Sequence, residues 1–540
     1  MKKSLSLLLA LAMLLSLMAF ASAEEADTRP RTIVTTDLEN DDIDSLLHVL
    51  LYANDIDIAA IIATSSCHHW TGDGVHTQRE VGEEGVDYKP TNDEGWSPDI
   101  MEWRPQDLDW LFDTILNDYG AVWPNLVKHD SRYPSPGELM ERTRIGNVEF
   151  ESDMRFSTDG SNYIKSILLD DDTRPVYVQA WGGSNSLARA LLDIEEEFKD
   201  SVDWDAIYKK VSEKCILISW GDQDYTYRNY ISVSWPDVVH LYCVTGGIGY
   251  HISRSAPAPY RYYFEPEWLM ENIKFNHGPL MAKYLLFGDG IYYNGELPWN
   301  QFGSLEAVNM EQSWLKNDWK RYEFISEGDS PCWMYLIPVG LRGMENPSYG
   351  SWGGRIDPNA TNGFRAAISE FNPTTGKMSG GYSVHRWFPA FMNDWAARAD
   401  WCVTDYEDAN HQPVVWTTTE DATLALGETI ELNGFAEDPD GDNLHYNWFV
   451  YTDACVYSGA YLPYLDVWAH DVASTTFTVP NDAAEGDYFN LVLEVTDDGE
   501  PALTRYAQVI ITVDAVPEGG NNVIAISMIC DAIKKKMRAE

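Results

Sequence analysis

Basic residues are scarce in this chain of 540: 38 lysines and arginines face 85 aspartates and glutamates, for a formal charge of -47. Such a surface repels a phosphate backbone and an anionic membrane, which excludes nucleic acid and lipid surfaces as partners. Closely spaced cysteines are lacking too. Cys67, Cys215, Cys243, Cys332, Cys402, Cys455 and Cys530 lie far apart, with no CxxC pair, which excludes a zinc finger and a thioredoxin motif. Their odd number leaves at least one thiol of an exported chain free or paired between molecules, and most read as buried small hydrophobes. Past the N-terminal segment no apolar run is long enough to span a bilayer, and no repeat of solenoid period appears.

What is present begins with MKKSLSLLLALAMLLSLMAFASA: two lysines, an apolar stretch and an Ala-Ser-Ala end. This predicts a secretory signal cut after Ala23, hence a secreted, extracellular protein with no membrane insertion after cleavage. The remaining chain is too long for one core, so separate domains are expected.

Residues 30–408 alternate strand-like and helix-like segments. RTIVTT is a β-branched run, residues 41–52 place Ile43, Leu46, Leu47, Leu50 and Leu51 on one helical face, and IDIAAIIATSS is a second buried strand. Residues 174–198 and KCILISWGDQD repeat the logic, so the fold class is α/β with a mainly parallel sheet. Residues 67–135, rich in Trp, Gly, Asp and Pro with weak periodicity, read as an insertion or loop set above the sheet edge. Residues 413–515 change character to short alternating strands with turn signals, and predict an all-β immunoglobulin-like sandwich with Trp448 in its core. Within it, DPDGDN and TDDGEP read as tight turns in preference to calcium loops. Residues 516–540 form a linker and tail.

The stretch TTDLENDDIDSLLHVLL crowds carboxylates at a strand-to-helix turn. Asp37 falls at the strand end and Asp41 and Asp42 open the helix, beside the crevice where such sheets bind ligands. A hard divalent cation would relieve their repulsion, and calcium tolerates several carboxylates at once. Helix capping and the macrodipole account equally for Asp41 and Asp42 alone. Asp44 lies away from the turn and reads as a solvated helix residue.

The stretch from Ile33 to Ser66 resembles the N-terminal signature of nucleoside hydrolases, an Asp-x-Asp-x-x-x-Asp-Asp turn followed by a helix and a strand. The resemblance implies that Asp37, Asp41 and Asp42 hold Ca2+, with Asp37 as base for the attacking water. Thr35 stands where the motif has its first Asp, and Leu38 and Glu39 where it has Pro-Gly. WGGSNSLARAL is similar to a further family turn, which implies that Asn185 ligates calcium through its main-chain carbonyl. SEGDSPCWMYLIPVGL is similar to the late segment, which implies Asp329 as the last carboxylate ligand; capping before Pro331 is the alternative. WGDQDYTYRNYI, NHGPL, EGDSP, GSWGGR and RWFPAFMNDWAARADWCV resemble one branch of secreted bacterial proteins. These carry a nucleoside hydrolase-like domain followed by an immunoglobulin-like domain, and one member is described as cellulose-binding.

The implied chemistry is hydrolysis of an N-glycosyl or related glycosyl bond by an activated water, with no covalent nucleophile. For protonating the leaving group, His68, His69, His277 and Asp224 are candidates by location. Asp222, Gln223 and Asp224 follow a buried strand and are either specificity residues or a polar turn. Trp181, Trp220 and Trp352 adjoin Gly-rich turns where an aromatic face stacks on a sugar or base. His68, His277 and Trp181 thus join the 222–224 segment as expected substrate-binding residues. The expected partner is a small-molecule sugar or nucleoside, or a plant polysaccharide if the scaffold only binds carbohydrate; homo-oligomerisation stays open.

Overall fold

The computed structural model describes residues 27–84, 99–243, 248–250, 256, 258–293, 295–357, 367–459 and 465–514. The expected signal segment, the tail 516–540 and Cys530 lie outside the described residues.

Strands β1 (Arg31–Thr36), β2 (Asp57–Ala63), β3 (Thr143–Ile145), β4 (Val176–Ala180), β5 (Cys215–Ser219) and β6 (Val239–Tyr242) form one parallel sheet in the order β3-β2-β1-β4-β5-β6. β1 and β2 are apolar almost end to end because both faces of the sheet are covered. Alternate residues serve opposite cores. Val34, Ile61 and Ile218 pack on the side of α1 (Asn40–Val49), α2 (Gly120–His129) and a late helix, Phe388–Trp401. Ile33, Ile62, Val178 and Leu217 pack on the side of α3 (Asp159–Leu169) and α4 (Asn185–Phe198). The chain leaves β1 toward β2 on one side and returns as β4 on the other. Their C-terminal ends therefore part at a switch point, where a crevice forms.

Two expectations need correction. Residues 67–135 are not simply loops: Leu108–Asp113, a π turn Thr114–Tyr119 and α2 run on without a break. Leu111, Ile115, Tyr119, Val122 and Leu126 form their buried stripe, and the π turn breaks the regular period that would have marked it in the sequence. Asp44 is not solvated either. It is 0 % exposed and its Oδ1 accepts from the Leu285 amide at 2.7 Å, because α1 is buried on every side.

The C-terminal region consists of a four-stranded sheet, β10-β15-β14-β12, and a three-stranded sheet, β13-β11-β9, after a small hairpin of β7 (Glu370–Asn372) and β8 (Lys377–Ser379). Their strands are β9 (Val414–Thr417), β10 (Ala422–Leu424), β11 (Thr429–Glu437), β12 (His445–Val450), β13 (Ser474–Thr478), β14 (Tyr488–Thr496) and β15 (Thr504–Val513). Leu432, Phe477, Leu493 and Val509 close on Trp448 between the sheets, and Trp448 Nε1 donates to the Ala473 carbonyl at 3.1 Å. Among the described residues no helix is long and apolar enough to cross a membrane.

The two regions meet over buried charge. Arg398, 0 % exposed, bonds Asp394 through Nε at 2.8 Å, pairs with Asp55, and lies 3.9 Å from the Tyr52 ring centroid. The other Asp394 oxygen takes Arg505 of β15 at 2.7 Å. Burial pushes the Asp394 carboxyl up, but Arg505 and Arg398 outweigh it and hold it at about 2. Removing Arg398 leaves Asp394 and Asp55 short of a buried cation. We expect Arg398→Met to cost about 3–5 kcal/mol, seen as a lower denaturation midpoint; an unchanged midpoint would count against this junction.

Candidate metal centre

The turn after β1 is built by side chains rather than by glycine. Leu38 adopts φ +58°, an uncommon conformation for a branched residue, and its amide donates to Thr36 Oγ1 at 3.0 Å. Thr36 Oγ1 in turn donates to Asp42 Oδ1 at 2.6 Å, and the Asp37 amide reaches the same oxygen at 3.2 Å. Asp42 thus fastens the turn from the first turn of α1.

Asp41, Asp42 and Asp329 converge, each offering a carboxylate oxygen within 4.8 Å of the others, all three buried. Asp329 reaches them from the start of a short helix, Ser330–Met334, yet makes no side-chain cap bond there. Glu39, the N-cap residue of α1, makes none either. Capping therefore does not account for Asp329, while Asp41 and Asp42 stand in the first turn of α1, where the macrodipole favours carboxylates. Asp329 Oδ1 is buried with no hydrogen-bond partner, an oxygen left for something else to satisfy. The donors are all hard carboxylate oxygens, which fits a divalent cation such as calcium.

The electrostatics follow. Burial, then Glu39 and Asp37, push the Asp41 carboxyl up to about 8. Burial and the neighbouring aspartates raise Asp42 and Asp329 well above the ordinary range. The Tyr250 hydroxyl and Ser326 Oγ approach Asp41, each at 3.4 Å. Gly328 stands so close that a Cβ would lie 2.6 Å from Asp41 Oδ2.

Asp37 belongs to an adjoining group, with Glu39 and His69, whose ligand atoms also lie within 4.8 Å of one another. Ser66 Oγ donates to Asp37 Oδ2. Gly182, just past β4, would place a Cβ 2.8 Å from Asp37 Cγ, so the switch-point crevice closes on this carboxylate. Glu296 meets His69 Nε2 at 3.5 Å and Arg104 at 3.1 Å, while Arg104 lies 3.9 Å from Glu39. Burial opposes ionisation of Glu296, but the His69 bond and the Arg104 charge bring it down to about 2. A cleft beside the turn is lined by Asn40, His69, Gln106, Trp110, Tyr293 and Glu296. Asn40 Nδ2, His69 Nδ1 and Gln106 Oε1 are buried there without partners.

The other expected residues lie elsewhere or are already engaged. Asn185 opens α4 and spends its side chain on Thr64, Ser65 and Asn147, which leaves only its main-chain carbonyl for the expected role. Asp224 accepts the Asn185 amide at 2.9 Å and Thr226 Oγ1 at 2.7 Å, so it holds the α4 start instead of facing a ligand; burial and Asp222 raise it to about 7. Gln223 donates to the Trp181 carbonyl at 2.5 Å, and Asp222 pairs with Arg228 at 2.7 Å. His277 pairs with Asp400 at 3.0 Å. His68 is half-buried, its amide on Ser66 Oγ and its carbonyl on Arg104 Nε. Trp181 and Trp352 are 0 % exposed, closed in the core and without a free face for stacking. Arg104 and Glu296 carry no sequence signal of their own, while Ser66 and Gly328 lie within the segments that carry the resemblance without being marked out there.

All three shifts in the aspartate cluster are upward, so the folded protein binds protons that the unfolded chain releases. Stability therefore falls as pH rises, for Asp41 across the span from 3.8 to about 8. We expect the melting temperature of chelator-treated protein to drop between about pH 4 and about pH 8, and a divalent cation to restore it at the upper end. A profile indifferent to the cation would contradict the assignment.

The profile of the nucleoside hydrolase-like domain of cellulose-binding Sde182 matches residues 31–356, and that of the C-terminal domain of cellulose-binding protein Sde0182 matches residues 429–513. A solved structure of a nucleoside hydrolase-related hypothetical protein from Saccharophagus degradans, described as associated with carbohydrate metabolism, is similar over 90% of this chain and 100% of its own, at 25% identity and a TM-score of 0.63. No curated protein matches the chain.

Proposed function

Since the chain belongs to the family of cellulose-binding Sde182 with its nucleoside hydrolase-like domain, we propose that it is a secreted, calcium-dependent hydrolase of N-glycosyl or related glycosyl bonds. The observation that carries this reading is the buried convergence of Asp41, Asp42 and Asp329, with Asp329 Oδ1 unpartnered, next to Asp37. Asp41, Asp42 and Asp329 would hold the ion. When bound, it supplies positive charge that neutralises the cluster and polarises water and sugar hydroxyls.

Asp37 is the base. Its carboxylate lies at the switch-point crevice, oriented by the Ser66 hydroxyl, and takes the proton of the attacking water. His69 stands within 4.8 Å of Asp37 and is backed by Glu296, which places it to protonate a leaving group. Trp110 and Tyr293, 6.2 Å apart and edge to face, flank the adjoining cleft, where a ring can rest against an aromatic wall. Leu38 and Glu39 shape the turn differently from the Pro-Gly of nucleoside hydrolases, and Glu39 with the buried Arg104 adds a charged pair beside Asp37. Export rests on the N-terminal lysines, apolar stretch and Ala-Ser-Ala end of the sequence.

A second reading, carbohydrate binding without catalysis, has its own support. Trp416 of β9 and Phe435 of β11 sit opposite each other on an outer sheet face, rings 5.7 Å apart and 15° from parallel. Both are exposed, and they form a flat platform of the kind that stacks on sugar rings. The Sde182 relatives are described as cellulose-binding.

A screen of nucleosides and nitrophenyl glycosides, with and without chelator, tests the first reading. Hydrolysis should be lost on chelation, and Asp37→Asn should lower kcat by about 10²–10⁴ with calcium affinity largely kept. Turnover indifferent to both would sink it. Retention on insoluble cellulose tests the second: Trp416→Ala with Phe435→Ala should release the protein, and undiminished retention would remove this platform from consideration.

A further inference from the structure

The DPDGDN and TDDGEP segments, residues 438–443 and 496–501, come together in the structure. Asn443 donates to Asp498 through its amide and its Nδ2, both at 2.8 Å. The linker from the α/β region packs against them. Asn410 Nδ2 donates to Asp497 Oδ1 at 3.1 Å and to the Pro501 carbonyl at 2.8 Å, and the His411 amide donates to Asp440 Oδ2 at 2.7 Å.

Turn chemistry explains one oxygen of each key carboxylate. Asp438 Oδ1 accepts the amides of Asp440, Gly441 and Asp442 at 2.9, 2.8 and 3.0 Å. Asp497 Oδ1 accepts those of Gly499 and Leu503 at 3.1 and 2.9 Å. The remaining oxygens, Asp438 Oδ2 and Asp497 Oδ2, are buried and have no partner; Asp497 is 2 % exposed and Asp438 is half-buried. Two buried, unsatisfied carboxylate oxygens in adjoining turns are costly, and a cation bound at the turns would relieve that cost. Among the described residues no lysine or arginine supplies it, and the ion pair these turns make is His411 with Asp440 at 3.1 Å. Burial and then Asp438 raise the Asp497 carboxyl. Asp442 is raised by burial and by Asp438, Asp498 and Asp440, so the group is under mutual repulsion.

We propose that the two turns form a second cation site, with Asp438 Oδ2 and Asp497 Oδ2 as anchoring ligands for calcium. The donors are hard oxygens, and Asp440, Asp442 and Asp498 add negative charge around them; calcium accepts such mixed oxygen sets and completes its sphere with water. Because Asn410 and His411 are bonded into the same turns, the ion braces the point where the chain passes from the α/β region into the β-sheets. This site stands independently of the hydrolase reading, since it shares no residue with the Asp41, Asp42 and Asp329 cluster.

Calcium titration of the chelator-stripped full chain, followed by calorimetry, tests it. Two ions per chain are expected. Asp438→Asn with Asp497→Asn should weaken one of them by about tenfold or more while the other keeps its affinity. Asn preserves the Oδ1 acceptor that each turn uses, so circular dichroism should be unchanged, and each single variant supplies the same reading should the pair fold poorly. In Asp42→Asn with Asp329→Asn, the second site should persist. A single ion lost only in the 438/497 variant supports this site while counting against the first. Binding that is unaltered in the 438/497 variants, or absent from the parent chain, overturns it.

Discussion

The repulsion among Asp41, Asp42 and Asp329 is the constraint around which the site is arranged. Three carboxylates buried within 4.8 Å of one another oppose ionisation, and burial alone already pushes each of them up. A protein seeking only stability would replace them with hydrocarbon. Instead the surrounding structure is shaped to keep them close: Thr36 and the Asp37 amide pin Asp42, and Gly328 leaves room for Asp41. The energy stored in this arrangement is what a bound cation would recover.

The sheet supplies the rigidity that makes this feasible. Asp37 follows a strand at the middle of six, bonded on both sides by β2 and β4, so its position is fixed from two directions. The crevice at the switch point is narrow because Gly182 approaches it without a side chain. Around it a buried network of Glu327, His48, Tyr284 and Ser330 fastens α1 to the segment carrying Asp329. Tyr284 bonds Glu327 at 2.5 Å and His48 stacks on Trp395, so the two ligand-bearing segments are held by packing as well as charge.

The β-sheets are a structural partner of the α/β region and not a loosely tethered appendage. Arg505 completes the Asp394 pair beneath the Phe388–Trp401 helix, and the Tyr506 amide donates to the Val339 carbonyl at 2.9 Å. Next to this group, across Trp401, His129 of α2 meets His411 at 2.9 Å, and His411 reaches Asp440 of the DPDGDN turn. The outer aromatic pair is therefore held at a fixed place relative to the crevice.

Sequence by itself determined the parallel α/β class, because strands buried on both faces must be continuously apolar, as IVTT and DIAAIIA are. It also marked Asp37, Asp41, Asp42 and Asp329 as a set, through local spacing and resemblance. It misplaced Asp44, Asp224 and Trp181, each of which looked functional or solvated by its neighbours in the chain but is spent on a backbone amide or on the core. Arg104, Glu296 and Ser66 were invisible for the converse reason: each is ordinary in its own segment and meaningful only where Glu296 meets His69 and Ser66 meets Asp37. Local periodicity and charge spacing are written along the chain, whereas which buried oxygen lacks a partner depends on everything packed around it. Only the tertiary structure could decide that Asp329 caps nothing and keeps a buried oxygen without a partner, and that two turns thought merely tight leave carboxylate oxygens unanswered.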